Sequence, residues 1–179
     1  QTYYGLSGDG VAMDVTIESP GTAGGAAASV SGLTDAQGRM TELVLNIDLA
    51  DYQAGGATFD RVIAHEMVHA IMGRTMSIAG LPLWFVEGTA ELMAGAEDRL
   101  AQTIAGSSVA AVSARVEGLL DGDAWVGNSA DYSAAYVAVR YLHDAIKTAG
   151  GAGIRDVMDY LSSNLGSTLD IALQNLPHG

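Results

Sequence analysis

The sequence predicts an α+β fold, in which a small N-terminal β-sheet precedes a mostly helical C-terminal part. Residues 1–56 contain short segments of strand-like composition beside turn signals. From residue 57 to the end of the chain at 179, apolar positions recur at helical spacing. With 179 residues, 49% of them apolar, the chain has enough material for one core, so we expect a single domain over 1–179.

The two predicted strands cover residues 11–18 and 40–48, where apolar and polar side chains partly alternate. Turn signals lie beside them at residues 19–21, which read Ser-Pro-Gly, and at 35–38, which read Asp-Ala-Gln-Gly. The run at 22–28 is rich in Gly and Ala and low in complexity. The β-rich part is therefore built on these two strands.

Helical periodicity predicts helices at about 58–73, 82–95, 96–105, 108–120, 130–148, 154–163 and 168–175. Thr58 suits the N-cap of the first helix and Gly73 suits its end. Pro82 suits the first turn of the second helix, and Gly95 suits its end. The first helix is apolar nearly all round, which predicts a buried helix between the sheet and the other helices.

The segment His65-Glu66-Met67-Val68-His69 lies inside this first helix. Residues i and i+4 share one helical face, so His65 and His69 can offer two imidazoles to one metal ion. Glu66 projects about 100° around the axis, where a carboxylate can take a proton from a bound water. A core helix whose two His are satisfied by hydrogen bonds is the alternative.

The second helix carries two carboxylates in apolar surroundings. Glu87 and Glu91 are again i and i+4 on one face. Burying both without a cation would be costly, so the pattern favours a metal ion nearby. The spacing alone leaves open which of the two is the ligand.

These residues together resemble the gluzincin metallopeptidases, the clan of thermolysin-like proteases and zinc aminopeptidases. HExxH is followed after 17 intervening residues by Glu87-Gly88-Thr89-Ala90-Glu91, and residues 81–88 are similar to the clan's second metal-binding helix. The resemblance implies a zincin fold and one Zn²⁺ held by His65, His69 and Glu87. It also implies that Glu91 accepts a hydrogen bond from a ligating His, most naturally His65. The metzincin pattern fails, because it requires Gly and His where this chain has Met72 and Thr75.

The segment that starts at Asp131-Tyr132 is similar to the gluzincin helix that begins with a catalytic tyrosine. By that resemblance the Tyr132 hydroxyl stabilises the oxyanion of the tetrahedral intermediate; simple packing is the alternative. Tyr136 and Tyr141 are expected to pack, and His143 to be an ordinary surface residue rather than a second electrophile.

The resemblance implies a zinc-dependent metalloendopeptidase with Glu66 as general base. It also implies an edge strand that holds the peptide substrate by backbone pairing, for which Leu45, Asn46 and Ile47 are the candidates. An ordinary sheet strand competes with that role. The rival functions are an aminopeptidase-like exopeptidase, whose acidic substrate anchor we do not find, and a non-catalytic domain with a structural metal, for which no fourth ligand is apparent.

The net charge and the residue composition of the chain argue against several classes of binding partner. A net charge of -13 argues against nucleic acid and against anionic membrane surfaces, and no apolar run approaches 18 residues. Zero Cys excludes disulfides and thiolate ligands.

The start of the chain does not read as a signal peptide, and Ala, Gly, Ser and Thr are abundant in the segments that flank the predicted metal site. The chain is similar to metallopeptidase domains inserted in flagellins, the flagellinolysins, which implies an extracellular setting, a flagellar filament and protein substrates. A generic secreted bacterial gluzincin is the alternative.

Overall fold

In the computed structural model, the described residues are 12–18, 25–55 and 58–176. The strands come first, and the helices follow. In chain order the elements are β1 Met13–Glu18, β2 Ala28–Thr34, β3 Met40–Asp48, α1 Leu49–Gly55, α2 Phe59–Thr75, α3 Leu83–Ala94, α4 Glu97–Gly106, α5 Val109–Leu120, α6 Ser129–Thr148, α7 Ile154–Ser163 and α8 Leu169–Gln174. The predicted α+β fold is confirmed.

The sheet has the order β1-β3-β2. β3 lies in the middle, parallel to β1 and antiparallel to β2. Alternate residues of β3, namely Leu43, Leu45 and Ile47, are buried, because their face of the sheet packs on α2. β2 is therefore an edge strand among the described residues, and it lies beside the helix that carries the HExxH segment.

α3 is the central helix of the larger core. It packs between α2 and α6, and its Phe85 is completely buried. Met72 from α2, Val139 from α6 and Met158 from α7 are equally buried in the same cluster. Burial of this apolar surface supplies the main stabilisation that holds the helices in position.

Gly88 allows α3 and α6 to approach closely. A Cβ atom at this position would overlap the carbonyl oxygen of Ala135 on α6. Because Gly has no side chain, the two backbones come into direct contact. This approach brings the turn of α3 that carries Glu87 next to the turn of α6 that carries Tyr132.

The sequence located the helices from 59 onward to within two residues but missed two elements. β2 was not predicted, because its sequence ASVSGLT alternates weakly, and neither was the seven-residue α1. Gly73 was wrongly assigned as a helix end: α2 continues to Thr75, and a Cβ at Gly73 would overlap the Met40 side chain. Thr58 does sit at the N-cap, without a side-chain hydrogen bond, and Gly95 ends α3 in the left-handed conformation.

Parts of two sequence predictions lie outside the described residues: position 11 of the first strand and the turn at 19–21. The first strand itself is found at Met13–Glu18. Within the described ranges, no helix is both long and apolar enough to cross a membrane.

Replacing Gly88 with Ala should destabilise the protein by about 1–3 kcal/mol, since the new methyl group must push α3 away from α6. Gly106→Ala is the matched control, because a Cβ on that helical glycine would have no neighbour within 4 Å. Thermal unfolding of both variants checks the prediction. Equal melting temperatures for the two would show that the α3–α6 contact is looser than described.

Candidate metal centre

Three side chains from two neighbouring helices converge on one point. His65 and His69 project from α2, and Glu87 projects from α3. The Nε2 atoms of His65 and His69 are 3.0 Å apart, and Glu87 Oε2 lies 3.1 Å from the first and 3.4 Å from the second. Among the described residues, these three form the group that could hold a metal ion.

This arrangement fits a zinc ion. Nitrogen and oxygen ligands about 2.0–2.1 Å from zinc in a tetrahedron are roughly 3.4 Å apart, close to the separations found here. Two imidazoles and one carboxylate are also the donor set of known catalytic zinc sites. The described residues offer no fourth protein ligand at this point, so one coordination position would face the cleft.

Glu91 orients the His65 imidazole. Its Oε1 lies 2.9 Å from His65 Nδ1, and its side chain is almost fully buried. A hydrogen bond donated by Nδ1 leaves Nε2 to face the convergence point, which is the orientation a metal ligand needs. The other oxygen, Oε2, lies 3.2 Å from Arg99 Nε as an ion pair without an aligned hydrogen bond.

The centre favours positive charge. Burial alone would lower the pKa of His65, but its hydrogen bonds to Glu87 and Glu91 outweigh burial and raise the pKa to about 9. Burial would raise the pKa of Glu87, but hydrogen bonds from His65 and His69 hold it at about 2. A partly buried carboxylate with these partners is suited to bind a cation.

Glu66 lies beside the convergence point without belonging to it. Burial raises the pKa of its carboxyl group above the ordinary value, and the neighbouring His69 and His65 oppose that rise. The backbone amide of Val30 on β2 also donates a hydrogen bond to this carboxylate. A carboxylate made more basic by burial, next to a metal site, is suited to accept a proton.

Tyr132 faces the same centre from α6. Its ring centroid is 6.1 Å from that of His65 and 5.1 Å from that of Trp125. Burial, together with nearby Glu87, raises the pKa of the Tyr132 phenol to about 12, although the charge of Arg99 opposes the rise. The hydroxyl therefore stays protonated near neutral pH and is available as a hydrogen-bond donor.

A cleft runs past these groups as two adjoining cavities. One has a volume of about 430 Å³ and the other about 340 Å³, and both are lined by His65, Glu66 and Tyr132. Arg61 and Arg99 line only the first, whereas Met40 and Ile78 line only the second. A bound chain could thus extend in both directions from Glu66.

The predicted substrate strand was wrong. Leu45, Asn46 and Ile47 belong to β3, which is paired with β1 on one side and β2 on the other. Their backbone groups are already used, so β3 is not an edge strand. β1 and β2 are the two edge strands of the described sheet, and of these it is β2 whose residues 28–30 line the second cavity.

Three other residues of α6 that the sequence analysis singled out lie away from the metal centre. Tyr136 is buried, and its hydroxyl donates to Glu97 Oε1 at 3.0 Å. Tyr141, which was expected to pack, is exposed. His143, which was expected at the surface, is buried and accepts a hydrogen bond from the Ile154 amide at its Nδ1. None of these three lines either of the two cavities.

A buried ion pair that the sequence did not reveal supports the start of α6. Asp131 has no exposed surface and lies next to Tyr132 in the chain. It accepts hydrogen bonds from Arg115 Nε at 2.6 Å, from the Val126 amide at 2.6 Å and from the Gly127 amide at 2.8 Å. These bonds tie the loop before α6 to α5 and so fix the position of Tyr132. The pairing crosses 16 residues, a distance that local spacing does not reveal.

Comparisons of the chain with protein-family models, with curated sequences and with solved structures found no match.

Asp131→Asn should lower stability by roughly 3 kcal/mol at pH 7, because it removes one partner of a buried ion pair. Burial raises the pKa of Asp131, but Arg115 and the two amides hold it below the ordinary 3.8. The stabilisation is therefore present above pH 3.8 and is lost as the pH falls through the folded-state pKa. Denaturant unfolding at pH 7 and pH 3 should show a gap between wild type and variant that narrows in acid. A gap of constant size would contradict this assignment.

Proposed function

We propose that this chain is a zinc-dependent metalloendopeptidase domain of the gluzincin type. The observation that carries the proposal is the convergence of His65 Nε2, His69 Nε2 and Glu87 Oε2 within 3.4 Å of one another. Glu66 and Tyr132 adjoin that point, and a cleft gives access to it. A base, an oxyanion donor and an open metal position are the parts that peptide hydrolysis requires.

In this mechanism Glu66 acts first as base and then as acid. A zinc ion bound by the three ligands would polarise the scissile carbonyl and lower the pKa of water toward neutrality. Glu66 takes one proton from the attacking water as the oxygen of that water bonds to the carbonyl carbon. It then gives that proton to the nitrogen of the leaving amine as the C–N bond breaks.

Tyr132 supplies the donor for the charge that develops on the substrate oxygen. Its high pKa keeps the hydroxyl proton in place, and its ring packs beside His65. A donor directed at the position of the oxyanion stabilises the transition state more than the ground state, and loss of such a donor costs about a hundredfold or more in rate.

The substrate backbone is proposed to pair with β2 rather than β3. The outer side of β2 is not covered by another strand among the described residues, and residues 28–30 line the cavity beside Glu66. An extended peptide added to this edge would pass the carboxylate of Glu66.

The same geometry favours an endopeptidase over the two rivals. The cleft continues on both sides of Glu66, so substrate residues have room on either side of the scissile bond. A purely structural metal usually has four protein ligands, and the described residues supply three. Sequencing the products from a digested protein distinguishes internal cleavage from removal of terminal residues.

The setting is proposed to be extracellular, with peptides or proteins as substrates. The resemblance of the chain to flagellin-inserted metallopeptidases supports this setting and suggests display on a flagellar filament. Detection of the chain in purified filaments of its source, by mass spectrometry, tests it.

Glu66→Gln should retain zinc and lose nearly all hydrolysis, since the amide keeps the shape of the side chain but cannot accept the proton. Metal analysis and cleavage of a quenched fluorescent peptide measure the two properties on the same sample. Activity near the wild-type level would remove Glu66 from the mechanism.

His69→Ala should lose both zinc and activity, because two remaining ligands bind zinc far more weakly than three. Circular dichroism should show that the helical content survives, since packing of the apolar core does not depend on the metal. Retention of one zinc per chain would contradict the ligand assignment, whereas unfolding upon metal loss would favour a structural metal.

A further inference from the structure

Arg99 contacts both supporting parts of the site. It projects from the first turns of α4, and its Nε lies 3.2 Å from Glu91 Oε2. Its guanidinium carbon also lies 4.7 Å from the centroid of the Tyr132 ring. One side chain thus joins the carboxylate behind His65 to the aromatic ring of the proposed oxyanion donor.

Arg99 is anchored by its ion pair with the buried carboxylate of Glu91. Glu91 is only 2% exposed, and one of its oxygens is engaged by His65 Nδ1. The other oxygen makes no aligned hydrogen bond with the described residues, so its charge is balanced by the guanidinium of Arg99. Separating a buried carboxylate from its cation is strongly unfavourable, and this holds Arg99 in place.

The Tyr132 ring depends on its neighbours for its position. Its hydroxyl makes no hydrogen bond with the described residues, and its side chain lines both cavities. Trp125 meets the ring edge-on at 83°, and His65 approaches at 66°. Arg99 covers the ring at 4.7 Å, within the range where a cation is attracted to an aromatic face.

We propose that Arg99 is a positioning residue, which holds the Tyr132 ring at the metal centre by a cation–π contact while Glu91 fixes the guanidinium. The inference rests on the proposed function, because the place of the hydroxyl matters for rate only if Tyr132 donates to the oxyanion. An ion pair that merely joined α3 to α4 would affect stability and leave Tyr132 where it is.

The position of the ring can be measured without catalysis. A protein carrying 3-fluorotyrosine at position 132 should give one ¹⁹F resonance displaced from that of the unfolded chain. Arg99→Met should broaden or split this resonance, because the ring then takes more than one orientation; loss of the nearby charge alone would shift the line and leave it single and sharp. Arg155→Met should leave the resonance unchanged. Arg155 is the matched control, since it pairs with Asp159 on the exposed face of α7. A resonance in Arg99→Met that stays single and sharp, whether or not it is shifted, would overturn the proposal.

The catalytic consequence is tested by a double-mutant cycle with zinc at saturation. Arg99→Met should lower kcat by about 10- to 100-fold with KM little changed. This is the range found when a residue that orients a metal-ligating side chain is removed. In a Tyr132→Phe background the same change should lower kcat by no more than about threefold, because the hydroxyl it positions is gone. The substrate is a quenched fluorescent peptide taken from a peptide-library cleavage profile.

Equal factors for Arg99→Met in the two backgrounds would overturn the proposal while leaving the peptidase assignment intact. No cleavage by zinc-loaded wild-type protein would instead overturn the proposed function, together with the catalytic meaning of the Arg99 contact. If Arg99→Met fails to fold, Arg99→Gln carries both measurements. That variant can still donate a hydrogen bond to Glu91 but has no cation over the ring, so the resonance should still broaden or split and kcat should still fall.

Discussion

The packing of α2 against α3 places two imidazoles and a carboxylate within 3.4 Å of one another, and the rest of the site is arranged around that contact. Such groups are costly to bring together in a partly buried setting unless positive charge lies between them. The raised pKa of His65 and the low pKa of Glu87 both result from the hydrogen bonds and charges between these neighbouring groups. A divalent cation would offset the same cost of burying these groups together, and it would add Lewis-acid chemistry that a proton cannot provide.

α3 is the element that connects structure to function. Its polar face carries Glu87 toward the centre and Glu91 behind His65, one helical turn apart. At Gly88 it contacts the backbone of α6, which carries Tyr132, while Phe85 fastens it into the core. The site is thus supported by a rigid apolar core rather than by loops, as a site that must hold atoms to within a fraction of an ångström requires.

The parts of this account that the sequence predicted are the local ones. Helix spacing alone puts His65 and His69 on one face of α2, and it puts Glu87 and Glu91 on one face of α3. Apolar periodicity located the helices after residue 58. The missing parts depend on contacts between distant residues. β2 is a strand because β3 pairs with it, although its own sequence has weak alternation, and β3 is central because β1 pairs with it in parallel. The partners of Glu91 and Asp131, namely Arg99 and Arg115, come from other helices, so spacing gave no indication of them. The one available signal was that basic residues are few in so acidic a chain.

The most direct test of the central claim is X-ray absorption at the zinc edge on the purified chain loaded with one equivalent of zinc. We predict two imidazole nitrogens and additional oxygen ligands at about 2.0–2.1 Å, including one exchangeable solvent oxygen. Replacing Glu87 with Gln should change the oxygen part of this shell and leave the two imidazoles in place. A spectrum without a pair of imidazoles, or one unaffected by that replacement, would contradict the convergence of these three side chains on one ion.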